Sequence, residues 1–149
     1  MVMGEWVTVS RLIYISRARQ PVPEDLVETI LETARTKNAG RNVTGLLLFD
    51  GMNFMQLLEG PSEEVEALFD TIVADDRHGD IVRIVSETGV NRQFPGWSMG
   101  YAFSSGDNLP EGKGWFPLTN GSLQAALPSK VDPAVRVLFT SFLGVARAA

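Results

Sequence analysis

Apolar residues fall in two periods along this chain, and the alternation between them predicts its elements. Val9 to Ile15 is β-branched and apolar and predicts a first strand, with Leu12 and Tyr14 on one face and Arg11, Ile13 and Ile15 on the other. Ser16 to Val22 predicts a loop. Pro23 opens a helix, with Glu24 and Asp25 in its favourable first turn and Leu26, Ile30, Leu31 and Ala34 as its apolar stripe. Arg35 and Lys37 suit the end of that helix, and Gly40 suits its exit. Val43 to Phe49 predicts a second strand, Asp50-Gly51 a tight turn, and Asn53 to Glu59 the returning third strand.

A second helix starts at Gly60-Pro61-Ser62, carries Val65, Leu68, Phe69 and Ile72 inward, and ends at Gly79. Ile81 to Glu87 predicts a fourth strand. Trp97 to Phe103 predicts a fifth, with Trp97, Met99 and Tyr101 on one face. The order β-α-β-β-α-β-β describes a ferredoxin-like α+β sheet with both helices on one face. Ser104 to Lys130 predicts a long connection with one short helix near Ser122 to Leu127. Asp132 caps a last helix from Pro133, whose stripe is Val135, Leu138, Phe142 and Val145, widened by Val137, Phe139 and Leu143. That helix is expected on the bare sheet face or on a partner. The expected division is a sensor unit over residues 1–103 and a linker with a C-terminal helical extension over 104–149.

Composition narrows the function. The 149 residues are 44% hydrophobic and 21% charged, ordinary for a globular protein with a real core. A net charge of -5 argues against a broad nucleic-acid surface. The absence of cysteine excludes disulfides, thiol catalysis and zinc–thiolate sites. No signal peptide and no membrane-spanning stretch is read, so a cytoplasmic location is expected.

Little conventional catalytic chemistry is present. Gly106 to Lys113 has the wrong spacing for a phosphate loop, and Gly114 stands where Ser or Thr is needed. His78 is the single histidine, so a conventional triad and a multi-histidine metal site are both out of reach. Asp75, Asp76 and His78 read as a solvated helix end rather than a metal site. Gln56 stands out. It lies mid-strand on the face shared by Phe54 and Leu58, and an amide both donates and accepts, so it can reverse its hydrogen bonds without a change of charge. Taken singly, Gln56 reads as a satisfied core amide, Tyr14 as a buried tyrosine, Asn38 as a helix C-cap, and Trp97 and Met99 as core.

Together these segments carry more. Arg11 to Ser16, Asn38 followed by Asn42 to Leu47, Phe54 to Gly60, Asp75 to His78 and Arg92 to Met99 closely resemble the BLUF family of blue-light sensors that use flavin, over roughly residues 10 to 103. The resemblance implies a flavin, usually FAD though FMN and riboflavin are open, held between the two helices and over the sheet. It implies that Tyr14 donates an electron and a proton to the excited flavin and that Gln56 bridges the two. Asn38 then hydrogen-bonds the ring, Asp75 contacts it, and Arg77 and His78 close the second-helix motif. Trp97 and Met99 match the pair linked to output. Ile30, Phe69 and Ile72 are expected as ring walls. Thr71 stands where some relatives carry a basic residue, so the phosphate side is left to Arg35, Lys37 or Arg77, or to solvent.

The expected function is therefore a stand-alone photoreceptor, not an enzyme, that signals through self-association (most simply a two-fold dimer) or through an unidentified downstream protein. Two alternatives stand beside it. An acylphosphatase-like hydrolase would use Arg17 or Arg19 and Asn38, but Ser16 to Gln20 lacks the glycines of a phosphate cradle. A cofactor-free interaction module is the other.

Overall fold

In a computed structural model, the chain is described over residues 9–20, 24–95, 97, 99–103, 115–117 and 120–148. The elements run β1 (Val9–Ala18), α1 (Glu24–Arg41), β2 (Thr44–Phe49), β3 (Asn53–Gly60), α2 (Ser62–Ala74), β4 (His78–Val90), β5 (Gly100–Phe103), β6 (Trp115–Pro117), α3 (Asn120–Ala126) and α4 (Pro133–Ala148). Among the described residues, one sheet holds six strands in the order β4-β1-β3-β2-β5-β6. β3 runs antiparallel between β1 and β2, and β1 runs antiparallel beside β4. This is the interleaved β-α-β pair of a ferredoxin-like sheet. β5 adds parallel to β2, and the short β6, which falls within the expected connection Ser104 to Lys130, adds parallel to β5.

Side-chain alternation on β1 sorts the core into two layers. Leu12 and Tyr14 join Leu47, Leu58, Leu31, Val65 and Leu68 on the face covered by α1 and α2. Ile13 joins Leu46, Leu48, Leu57, Leu123, Val135 and Phe139 on the face covered by α3 and α4. The expected C-terminal cover of the second face is thus in place. Asp132 caps α4 as expected, its Oδ1 accepting from the Ala134 N–H at 3.0 Å. The side chains of Leu26, Tyr101, Leu143 and Val145, and residues 104–114, lie outside the described residues.

Four boundaries differ from the sequence reading. α1 runs past Asn38 and Gly40 to Arg41, and Asn42 at φ 58° supplies the left-handed exit, so Asn38 is a helix-interior residue rather than a cap. α2 stops at Ala74 because Asp75 is extended at φ -76°, ψ 115°, so His78 begins a strand instead of decorating a helix end. β4 spans 13 residues rather than the seven expected. β5 starts only at Gly100, because the Trp97 N–H is drawn into a turn with the Phe94 carbonyl at 3.1 Å.

Glu59 organises the approach to β5. It is 0% exposed, yet its carboxylate accepts from the Thr44 hydroxyl at 3.0 Å, the Gln93 N–H at 2.8 Å and the Phe94 N–H at 2.6 Å. Three donors make its burial tolerable. Gln93 in turn accepts the Asp132 N–H at 2.5 Å, and buried Arg11 reaches Asp132, Glu87 and the Asn91 carbonyl. The loop between β4 and β5 is therefore tied both to β3 and to the start of α4.

Candidate functional site

Strand register brings Tyr14 and Gln56 side by side. Tyr14 on β1 pairs with Gln56 on β3, and Gln56 pairs with Leu47 on β2. On the shared face, the Tyr14 hydroxyl donates to Gln56 Oε1 at 2.5 Å. The Gln56 amide nitrogen donates to Met99 Sδ at 3.3 Å. Burial pushes the Tyr14 hydroxyl pKa well up, and the Asp75 carboxylate pushes it the same way, so the phenol stays protonated and stays a donor. Phe69 backs the Tyr14 ring at 5.5 Å, with the Arg83 guanidinium over its outer face at 4.6 Å.

These groups line a cavity of about 450 Å³ between the sheet and the two helices. Ile30 and Leu31 from α1, Leu47 and Phe54 from the sheet, and Leu68 and Ile72 from α2 make its apolar walls. Asn38, 1% exposed, and Gln56, 7% exposed, supply amides at the buried end. Arg19, Gln20, Asp76 and Arg77 are exposed and mark the mouth, with Asp75 beside them. A cleft of this size with apolar walls and a few convergent amides fits a planar heteroaromatic ring whose edge needs donors and acceptors.

Of the sequence-selected residues, Tyr14, Ile30, Asn38, Gln56, Ile72, Asp75, Arg77, His78 and Met99 line this cavity. Phe69, expected as a ring wall, does not line the cavity; Tyr14 stands in front of it. Asp75 caps α2 rather than projecting from it, and its carboxylate is held by Arg77 Nε at 2.9 and 3.0 Å and by Arg77 Nη2. That hydrogen bonding holds the Asp75 carboxyl below its ordinary range, although burial works against it. His78 is buried, with Nε2 donating to the Ile72 carbonyl at 2.7 Å. Its Nδ1 sits within hydrogen-bond distance of Ser16 Oγ, at 2.7 Å. Both ring nitrogens are thus committed to holding α2 against β1.

Trp97 and Met99 do not share a face. Met99 lies in the layer with Tyr14, whereas Trp97 packs into the opposite layer against Phe94 at 5.2 Å. Residues ahead of a strand escape its alternation, and the Met99 carbonyl is taken by Arg35 Nε at 2.9 Å. Gly100 makes room for this arrangement: a Cβ there would lie 2.3 Å from the Trp97 ring. Arg35 is therefore engaged with the start of β5 and is not at the cavity mouth. Lys37 does not line the cavity either; Arg19, expected only under the hydrolase alternative, does.

Comparison with known proteins points the same way. Residues 9–100 match the family model described as BLUF, sensors of blue light using FAD. The blue light- and temperature-regulated antirepressor BluF of Escherichia coli (strain K12) is 38% identical over 86 residues, covering 58% of this chain and 21% of that protein. The chain thus spans about a fifth of that curated relative. The dark-state structure of BlrB, a BLUF protein, superposes with a TM-score of 0.62 at 35% identity, covering 65% of this chain and 74% of that one. Klebsiella pneumoniae BlrP1, solved with FMN and cyclic diGMP, gives 0.73 at 26% identity, covering 91% of this chain and 34% of that one.

Proposed function

The chain belongs to the BLUF family, so residues 9–100 form a blue-light sensor domain that uses FAD, and we propose that Tyr14 and Gln56 carry its photochemistry while Met99 and Trp97 pass the result to α4. Membership sets aside the hydrolase and the cofactor-free module. The observation that carries the reading is the hydrogen-bonded chain from Tyr14 through Gln56 to Met99, buried at the closed end of the cavity. When bound, flavin supplies absorption of blue light and, once excited, an acceptor for one electron and one proton.

The protein's part follows from the donor and acceptor pattern. Tyr14 gives up an electron, and its phenolic proton leaves along the bond to Gln56 Oε1. Return of both restores Tyr14 and leaves the Gln56 amide turned or tautomerised. Either change replaces the pattern of donor to Met99 and acceptor from Tyr14. Asn38 holds the ring edge from α1, Ile30 and Ile72 enclose it, and His78 fixes the α2 end of the site.

Output runs across the sheet on this reading. A turned Gln56 no longer donates to Met99, whose carbonyl is fixed by Arg35. Two residues back, the Trp97 carbonyl accepts from the Gly45 N–H at 3.0 Å, and the Trp97 ring touches Phe94, which lies 6.3 Å from Phe139 of α4. A displacement at Met99 is thereby offered to α4 through aromatic contacts. The partner is a second copy of this chain or a downstream protein, and no net reaction is catalysed. Val137 on α4 is 61% exposed while Val135, Phe139 and Phe142 point inward, which supports a two-fold dimer with α4 at or beside the interface. Light scattering is expected to give twice the chain mass. Hydrogen exchange is expected to differ between dark and light across residues 91–147. A monomer at high concentration removes the dimer, and identical exchange removes the route.

Asn38→Ala is expected to weaken flavin retention about tenfold or less, since one neutral hydrogen bond is worth roughly 0.5–1.5 kcal/mol net. The dark spectrum should shift with it. A lower melting temperature with unaltered spectrum and affinity would make Asn38 a packing residue only.

A further inference from the structure

We propose that Arg19 makes this cavity discriminate between phosphorylated and unphosphorylated flavins, an inference that rests on reading the cavity as the flavin site. The amides of Asn38 and Gln56 occupy its buried end, so the end left for a ribityl chain and phosphate is the mouth. Among the described residues lining that mouth, the guanidinium groups are those of Arg19 and Arg77. Arg77 is claimed by Asp75 through several hydrogen bonds. Among the described residues, no carboxylate forms an ion pair with Arg19.

Arg19 is also held in place before any ligand arrives. Its backbone N–H donates to the Arg77 carbonyl at 3.0 Å, and its Nε donates to the His78 carbonyl at 3.0 Å. These bonds use one side-chain donor, Nε, and no hydrogen bond within the described residues takes the terminal nitrogens. Gly79 completes the seat, because a Cβ there would lie 2.9 Å from Arg19 Nη2. A guanidinium already ordered loses little entropy on binding, and its hydrogen bonds to phosphate are of the strong, charge-assisted kind. Asp76 at the same mouth opposes an anion, which makes the unpaired charge of Arg19 the more necessary.

The test is the dissociation constant of the flavin-stripped full chain for riboflavin and for FMN, read by flavin fluorescence at low and moderate salt. Wild type is expected to bind FMN about tenfold more tightly than riboflavin, with the gap narrowing as salt rises. Arg19→Gln should reduce the gap to about twofold or less through loss of FMN affinity. Gly79→Ala changes no charge and should narrow the gap by displacing the guanidinium. Asp76→Asn should widen it. A wild-type protein that binds both flavins equally, or an Arg19→Gln variant that keeps the full gap, overturns the assignment of Arg19 and leaves the flavin site standing. Failure of the wild type to bind either flavin overturns the site itself.

Discussion

Replacing Gln56 with leucine is expected to give a folded, yellow protein that has lost the reversible red shift altogether. Leucine has similar bulk and suits a β3 position between Tyr14 and Leu47. It removes both the acceptor for the Tyr14 hydroxyl and the donor to Met99. The buried hydroxyl left behind costs about 1–3 kcal/mol, so the variant should be measurably less stable in urea but still folded. Asn38 and the apolar walls remain, so flavin should stay bound. The difference spectrum after blue light is the measurement; a full reversible shift in this variant would remove Gln56 from the relay.

Tyr14→Phe is expected to abolish the same photocycle from the other end of the hydrogen bond. The ring keeps its packing on Phe69, and removal of one hydroxyl costs about 0.5–1.5 kcal/mol, so structure should persist. What is lost is the transferable proton and an oxidisable phenol. Time-resolved absorption should show no tyrosyl-linked intermediate and no long-lived red-shifted state. An unchanged photocycle would require another donor. Trp97 is poorly placed for that part, because its ring packs with Phe94 and the α4 layer.

Strand faces and helix stripes were legible because they repeat: Leu12 with Tyr14, Phe54 with Gln56, and Val65 with Leu68 and Phe69 all fall where the periods place them. The pairing of Tyr14 with Gln56 was legible only through family resemblance, since register between β1 and β3 depends on contacts 42 residues apart. Failures came where a local rule met a tertiary partner. Asn38 is a residue type that suits a cap, but α1 continues to Arg41 and exits at Asn42, and the Asn38 carbonyl accepts the Val43 N–H at 3.0 Å. Trp97 and Met99 alternate like strand residues, yet the turn at Phe94 and the bond from Arg35 keep them ahead of β5 and on opposite faces. Glu59 gave no signal of its role, because a strand-end glutamate reads as solvated until the Gln93 and Phe94 amides close on it. Arg19 was missed as a site residue for a similar reason: its placement depends on the His78 carbonyl and on Gly79.

The absorption spectrum of the purified full chain, taken in the dark and again after blue light, bears most directly on the central claim. A bound flavin spectrum that shifts to the red on illumination and returns in the dark is the expected result. A colourless protein that takes up no added flavin, or a bound flavin whose spectrum blue light leaves unchanged, would contradict it.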